Sequence, residues 1–192
     1  MDIKNYKNLI YEIKNFLDDE EYKSLSIFVE ENLKQNFQFK EKKTEGYISI
    51  SKHDYGHFKS FSWNQDLVDK IEEKIKYLFI QKIIPNNVDI DFLVPINDIL
   101  IYPKNYFKEN HWDSQDNKNI KFGIVYYINS DYEGGEIVYP DVDISIKPKA
   151  NTLVIHKSDL PHYTNLVQNN GIKKIMTTFL VSKDNNSEHH KI

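Results

Sequence analysis

The chain has 192 residues, 40% of them hydrophobic, and a formal charge of −4. That length suits one domain with a substantial core, and that charge excludes the basic footprint of a nucleic-acid binder. There is no cysteine, so disulfides and thiolate metal ligands are excluded.

The stretch Met1-Asp2-Ile3-Lys4-Asn5 lacks the apolar core of a signal peptide. No run approaches the roughly 20 apolar residues of a membrane helix. The expectation is a cytoplasmic protein with neither a membrane nor a nucleic-acid partner. All 25 basic residues are lysine, and Asn and Ile are abundant, as AT-rich codon usage would produce. Any anion clamp must therefore be a lysine point charge rather than a bidentate arginine fork.

Along the chain, Tyr6, Leu9, Ile10, Ile13, Phe16 and Leu17 fit a helical period, although Leu9–Ile13 reads equally well as a short strand. Asp18-Asp19-Glu20-Glu21 suits a helix start, and Leu25, Phe28, Val29 and Leu33 continue it at helical spacing. Residues 34–45 are polar and read as a loop. Tyr47, Ile48, Ile50 and Ser51 suggest a strand. Leu67, Ile71, Ile75 and Leu78 mark a second helix over about 65–81, closed by a turn at Pro85-Asn86-Asn87.

From about residue 89 the pattern changes. Short β-like runs follow one another at 90–94, 99–102, 121–128, 136–139, 144–147, 151–156 and 174–181, with Pro, Gly, Asn and Asp between them. Such spacing implies a sandwich or barrel of antiparallel strands. The expected fold is mostly β with N-terminal helices (α+β), in one domain over 1–192. Its helical support covers about 1–88, its β-core about 89–183, and its polar tail 184–192.

The chemistry concentrates in His111-Trp112-Asp113, His162 and Lys173. Residues i and i+2 of a strand share a face, so His111 and Asp113 can grip one metal from a single strand. His162 completes two nitrogens and a carboxylate on one side of the ion. That set leaves coordination positions open and points to a non-haem Fe(II) oxygenase. A lone His-x-Asp is a weak signal, but order and context strengthen it. Trp112 between the ligands is expected to face away and pack. His156 is expected to be structural, and Gly134-Gly135 to make a tight turn. The pair His53 and His57 would need a helix to bind metal, and Gly56 argues against one. His189-His190 falls in the polar tail.

Tyr126-Tyr127-Ile128-Asn129, Glu133-Gly134-Gly135-Glu136, Pro148 and Leu160-Pro161-His162 follow the first motif in order. With it they resemble the prolyl 4-hydroxylase-like branch of the 2-oxoglutarate- and Fe(II)-dependent oxygenases, over roughly residues 98–182. The resemblance implies a double-stranded β-helix, the jelly-roll or cupin-like core. It implies iron ligation by His111, Asp113 and His162, with 2-oxoglutarate and O2 as cosubstrates and ascorbate as an auxiliary reductant. It assigns Lys173 to the far carboxylate of 2-oxoglutarate, Tyr127 to a hydrogen bond with it, and Tyr102 and Thr177 to the pocket lining. Strand alternation favours Lys173 over Lys174, because Lys173, Ile175, Thr177 and Phe179 share a face.

Peptidyl proline is the substrate the resemblance favours. A free amino acid or another small molecule is the alternative, and a non-catalytic cupin-like binding module is a third reading. A metal-dependent isomerase or hydrolase on the same scaffold would work without O2. Segments 53–63 and 114–119 are candidate lids or substrate edges. The glycine often found before the metal strand in this family is replaced by Tyr102-Pro103-Lys104-Asn105-Tyr106.

Overall fold

The computed structural model describes residues 1–34, 48–51, 64–79, 83, 92–96, 98–168 and 171–182. The readings on 35–47, 53–63, 85–87, 90–91 and the tail fall outside the described residues.

The chain opens with a hairpin of β1 (Asp2–Tyr6) and β2 (Ile10–Lys14), not with a helix. Lys7 and Asn8 both take positive φ, at 57° and 58°, as a two-residue primed turn requires. Strand β2 pairs with β1 and β11 (Thr152–Lys157), and its side chains are buried almost throughout because Tyr11 and Ile13 pack into one core layer and Ile10 into the other. A doubly buried strand loses its two-residue alternation, which is why the helical period fitted it as well.

Helix α1 (Asp19–Lys34) starts where the acidic cluster predicts. Asp18 Oδ1 accepts from the Glu21 amide at 2.9 Å, and Glu21 Oε2 accepts from the Asp18 amide at 3.0 Å, forming a reciprocal capping box. After β3 (Ile48–Ser51), helix α2 (Gln65–Leu78) is capped by Asn64, whose Oδ1 accepts from the Leu67 amide at 3.1 Å. Its apolar stripe, Leu67, Val68, Ile71, Ile75 and Leu78, is buried.

The strands after this are β4 (Phe92–Leu93), β5 (Asp98–Tyr102), β6 (Lys108–His111), β7 (Ile120–Tyr127), β8 (Glu133–Gly134) and β9 (Ile137–Tyr139). Then come β10 (Ile144–Ile146), β11, β12 (His162–Thr164), β13 (Val167–Gln168) and β14 (Lys173–Val181). Strands β6, β8, β12 and β13 were not legible as runs in the sequence. The major sheet orders β1-β2-β11-β7-β14-β5-β3, with β4 also on β14. The minor sheet orders β10-β9-β12-β6, and β13 pairs with β8. All pairings among the described residues are antiparallel. The architecture is the expected jelly roll buttressed by helices.

Strand alternation divides the core in two. Leu153 and Ile155 of β11, Tyr126 of β7 and Met176 of β14 face the helices, where Leu25, Val29, Ile71 and Ile75 meet them. Val154, Tyr127 and Ile175, one residue out of phase, face the other way and pack with Ile137 and Tyr139 of the minor sheet. The candidate site lies in that second layer.

Candidate metal centre and cosubstrate pocket

His111 and His162 sit directly opposite each other on β6 and β12, with ring centroids 4.3 Å apart. Strand β6 ends at His111, so Asp113 is not on the same strand as expected. It lies in the turn that follows, where the Ser114 amide and hydroxyl both donate to the Ser158 carbonyl, at 3.1 and 3.2 Å. That anchor brings the Asp113 carboxylate back to the histidines. Its Oδ1 is 3.8 Å from His111 Nε2 and 3.9 Å from His162 Nε2. One donor atom from each of the three residues falls within 4.8 Å of the others.

The hydrogen bonds behind the rings decide which nitrogens face the gap. His111 Nδ1 is 2.7 Å from the Glu109 carbonyl, and His162 Nδ1 is 3.0 Å from the Leu160 carbonyl. A carbonyl only accepts, so both Nδ1 atoms carry a proton, and Nε2 is the atom of each ring left to face the gap as a ligand. Burial lowers the His162 pKa to about 3, and the charges of His156 and His111 act the same way. The ring is neutral, as a ligand must be. Burial pushes Asp113 up, but the hydrogen bond and charge of His156, with the charges of His162 and His111, more than offset it and hold the carboxyl below 3.8. Two imidazoles and one carboxylate, spaced so that bonds of about 2 Å can converge between them, fit a divalent iron.

His156, expected only as a structural residue, holds this carboxylate in place. Its Nε2 donates to Asp113 Oδ2 at 2.9 Å, and Tyr139 Oη lies 3.1 Å from its Nδ1. Burial and the charge of Asp113 raise the Tyr139 pKa well above 10, so the phenol keeps its proton and can donate it to Nδ1 where that atom is bare. The chain Tyr139–His156–Asp113 occupies Oδ2 and turns Oδ1 towards the histidines, the kind of outer support that orients metal ligands. Gly123 makes room for it. Gly123 stands opposite His156 in register, and a Cβ there would lie 1.9 Å from Asp113 Oδ2 and 2.5 Å from His156 Nε2.

The other wall belongs to the major sheet. Lys173, Ile175, Thr177 and Phe179 of β14 line a cavity of about 450 Å³ together with Tyr102, Tyr127 and all three candidate ligands. Lys173 is 1% exposed. Its Nζ donates to the Gly135 carbonyl at 3.0 Å and lies 5.3 and 5.2 Å from the ring centroids of Tyr102 and Tyr127. Burial lowers its pKa to about 7, against a smaller opposing pull from Glu136. Lys174 faces the opposite side and pairs with Glu30 of α1. Gly134 and Gly135 take φ of 68° and 65°, the tight turn anticipated for them, and this turn presents the carbonyl that Lys173 meets.

Residues 98–181 match the family model of the 2OG-Fe(II) oxygenase superfamily. Solved structures agree in fold. A prolyl-4-hydroxylase from Pseudomonas putida is 13% identical, with 91% of this chain and 93% of that one covered at a TM-score of 0.64. A viral collagen prolyl hydroxylase from Paramecium Bursaria Chlorella virus-1, in its 2OG complex, is 18% identical, covering 92% and 97% at 0.61. A Trichoplax adhaerens prolyl hydroxylase, complexed with a hypoxia inducible factor oxygen degradation domain peptide fragment, is 15% identical, covering 91% and 84% at 0.66. No curated protein matches the sequence. The chain thus carries this family's signature over 98–181 and a prolyl hydroxylase-like fold over about nine-tenths of its length.

Trp112 corrects a second expectation. It is 44% exposed and lines the cavity mouth instead of packing inside. The candidate lid at 114–119 is anchored at both ends, by Ser114 on Ser158 and by the Ser182 amide on the Asn119 carbonyl at 2.9 Å. The sequence did hold a clue to the His156 support. Gly123 interrupts an apolar strand on its inward face, and a glycine in a central strand marks a close approach by another group.

Proposed function

We propose that this protein is a Fe(II)- and 2-oxoglutarate-dependent dioxygenase that hydroxylates a C–H bond of peptidyl proline. The observation that carries the reading is the meeting of two imidazole Nε2 atoms and one carboxylate oxygen in the cavity that also holds the buried Lys173. The proline assignment draws on the likeness of fold to prolyl hydroxylases, one of them bound to a peptide.

In this reading His111, His162 and Asp113 hold Fe(II). Bound iron supplies the oxygen chemistry: the substrate C–H, 2-oxoglutarate and O2 become C–OH, succinate and CO2, with one oxygen atom in the new hydroxyl and the other in succinate. Lys173 receives the far carboxylate of 2-oxoglutarate, and its burial is tolerable because a dianion arrives to pair with it. The Tyr127 phenol is kept protonated by burial, its pKa raised well above 10, and donates a hydrogen bond to the same carboxylate. Tyr102 and Thr177 complete that end. Leu100, Ile175 and Phe179 line the cavity and exclude water from the reacting centre. Asp113 stays anionic at neutral pH, so the ligand set carries one negative charge. Ascorbate serves as an auxiliary reductant.

The test is succinate release from 2-oxoglutarate, with and without Fe(II) and O2, followed by mass spectrometry of proline-containing peptides for the gain of one oxygen atom. Iron- and oxygen-dependent turnover is expected. Tight metal binding without any turnover would favour the cupin-like binding module instead, and turnover without O2 would favour an isomerase or hydrolase.

A further inference from the structure

Lys173 is the first residue of β14, yet the ladder between β14 and β7 begins only two residues later, at Ile175 opposite Tyr127. On its other edge Lys173 pairs with Tyr102 of β5. The edge towards β7 is held differently. The Ile128 amide donates to the Lys174 carbonyl at 3.0 Å. In a continued antiparallel ladder the Lys174 amide would return a bond to the Ile128 carbonyl. Here that carbonyl accepts from the Tyr22 hydroxyl of α1 at 2.9 Å, and the Lys174 amide donates to Asn129 Oδ1 at 2.8 Å.

The other end of the Asn129 side chain completes the arrangement. Its Nδ2 donates to the Ile172 carbonyl at 2.6 Å and also to Asp131 Oδ1. The bond to Asp131 settles which end is the nitrogen, since a carboxylate only accepts. One side-chain amide thus stands in for a missing strand residue. It meets the two backbone groups that flank Lys173, one with its acceptor and one with its donor. The two segments are pressed tightly together: a Cβ at Gly171 would lie 2.6 Å from Tyr132 Cα and 2.8 Å from the Asp131 carbonyl oxygen.

We infer that Asn129 is a positioning residue for the cosubstrate: by clamping the backbone on both sides of Lys173, it sets where the ammonium group stands in the cavity. The tip of that lysine is tied separately, by the bond from Nζ to the Gly135 carbonyl at 3.0 Å. A long side chain fixed at both ends has little freedom left to lose when an anion arrives. With the clamp gone, the backbone at Lys173 is free to shift, and a misplacement of about 1 Å can cost up to about a hundredfold in a binding contact. This inference deepens the oxygenase reading and rests on it for the identity of the anion, but not for the placement of Lys173.

The experiment measures 2-oxoglutarate affinity by calorimetry on the Fe(II)-loaded protein under nitrogen, with Fe(II) affinity and stability to denaturant read in parallel. Asn129→Ala should weaken 2-oxoglutarate about tenfold and leave Fe(II) affinity within about twofold. Asn129→Asp, which keeps the acceptor but loses the donor to Ile172, should change the same affinity in the same direction. Asn151→Gly is the structural control. Asn151 is a buried strap of the same kind, bonded to the Leu17 backbone and the Tyr126 hydroxyl, and its φ of 57° suits glycine. That variant should lose stability without losing cosubstrate affinity. Lys173 is also probed without any ligand, by acetic anhydride labelling and peptide mass spectrometry. It is 1% exposed, and its labelling should rise severalfold in Asn129→Ala but not in Asn151→Gly. That labelling pattern in a protein that binds no 2-oxoglutarate would uphold the clamp and sink the oxygenase reading. Wild-type binding matched by Asn129→Ala, or lost equally in Asn151→Gly, overturns the inference and leaves the oxygenase intact. Unchanged labelling of Lys173 in Asn129→Ala overturns it as well.

Discussion

In the proposed reading Lys173 serves a ligand at the expense of the empty protein, and Lys173→Met should show it. The residue is buried and its charged form is disfavoured, with a pKa lowered from 10.5 to about 7. For a base whose folded pKa lies below its unfolded one, the unfolded chain binds more protons between those two values. Stability is then greatest above 10.5, falls as pH drops towards 7, and is flat below. Integrating that difference gives a penalty at pH 7 of about 4 kcal/mol, falling to about 2 kcal/mol at pH 9. Methionine keeps the unbranched shape without the charge, and losing the bond to the Gly135 carbonyl takes back about 1 kcal/mol.

The variant should therefore be more stable than the ligand-free wild type by roughly 3 kcal/mol at pH 7 and roughly 1 kcal/mol at pH 9. Chemical denaturation at the two pH values measures both numbers. With metal present throughout, added 2-oxoglutarate should raise the stability of the wild type further and leave the variant nearly unmoved. A variant less stable than wild type at pH 7, or a gap that does not change with pH, would refute the claim that this lysine is buried against its own solvation.

With Lys173 as the proposed carboxylate partner, 2-oxoglutarate binding should take up protons. Above pH 7 the ammonium is increasingly neutral and must be reprotonated to pair with the carboxylate, so affinity should fall from pH 7 to 9 by up to about tenfold per unit. Calorimetry in buffers of different ionisation enthalpy reads the proton directly. Lys174→Ala, which cuts the pair with Glu30, should leave cosubstrate affinity within about twofold, because that side chain faces the helices. Gly123→Ala should weaken Fe(II) binding by about 10- to 100-fold, as its methyl would displace the Asp113–His156 pair. Overpacking there should also cost about 1–3 kcal/mol of stability. Tyr139→Phe removes the donor to His156 Nδ1 and should lower metal affinity in the same direction by less, measured by competition with a chelator.

Much of the site was legible because its chemistry is tied to strand periodicity. Once β14 is a strand, Lys173, Ile175, Thr177 and Phe179 must share a face and Lys174 must oppose them. The helix starts were equally legible, since Asp18 and Asn64 cap by local hydrogen bonds that need no tertiary context. What failed to show depended on distant partners. The β1–β2 hairpin was hidden because both faces of β2 pack into core, Tyr11 and Ile13 on one side and Ile10 on the other. Asp113 leaves the strand because Ser114 is held by Ser158, 44 residues on. His156 looked like an ordinary core histidine because its partner, Asp113, is fixed by that same tertiary anchor. Trp112 was expected to face away and pack because it stands between His111 and Asp113 on a supposed strand, and only the turn geometry places it at the mouth.

The two sheets divide the work in a way that explains this difference. The minor sheet brings His111 and His162 together across a single strand pair, so their spacing survives small shifts of the whole layer. The third candidate ligand, Asp113, comes from a turn and has no ladder to hold it. Its geometry depends on Ser158 behind the turn and on His156, which reaches over Gly123 from the major sheet and is backed by Tyr139 of the minor sheet. Asp113 is therefore the point at which the two layers are coupled. Substitutions that move the sheets relative to each other should disturb Asp113 before they disturb either histidine, and metal affinity should fall before global stability does.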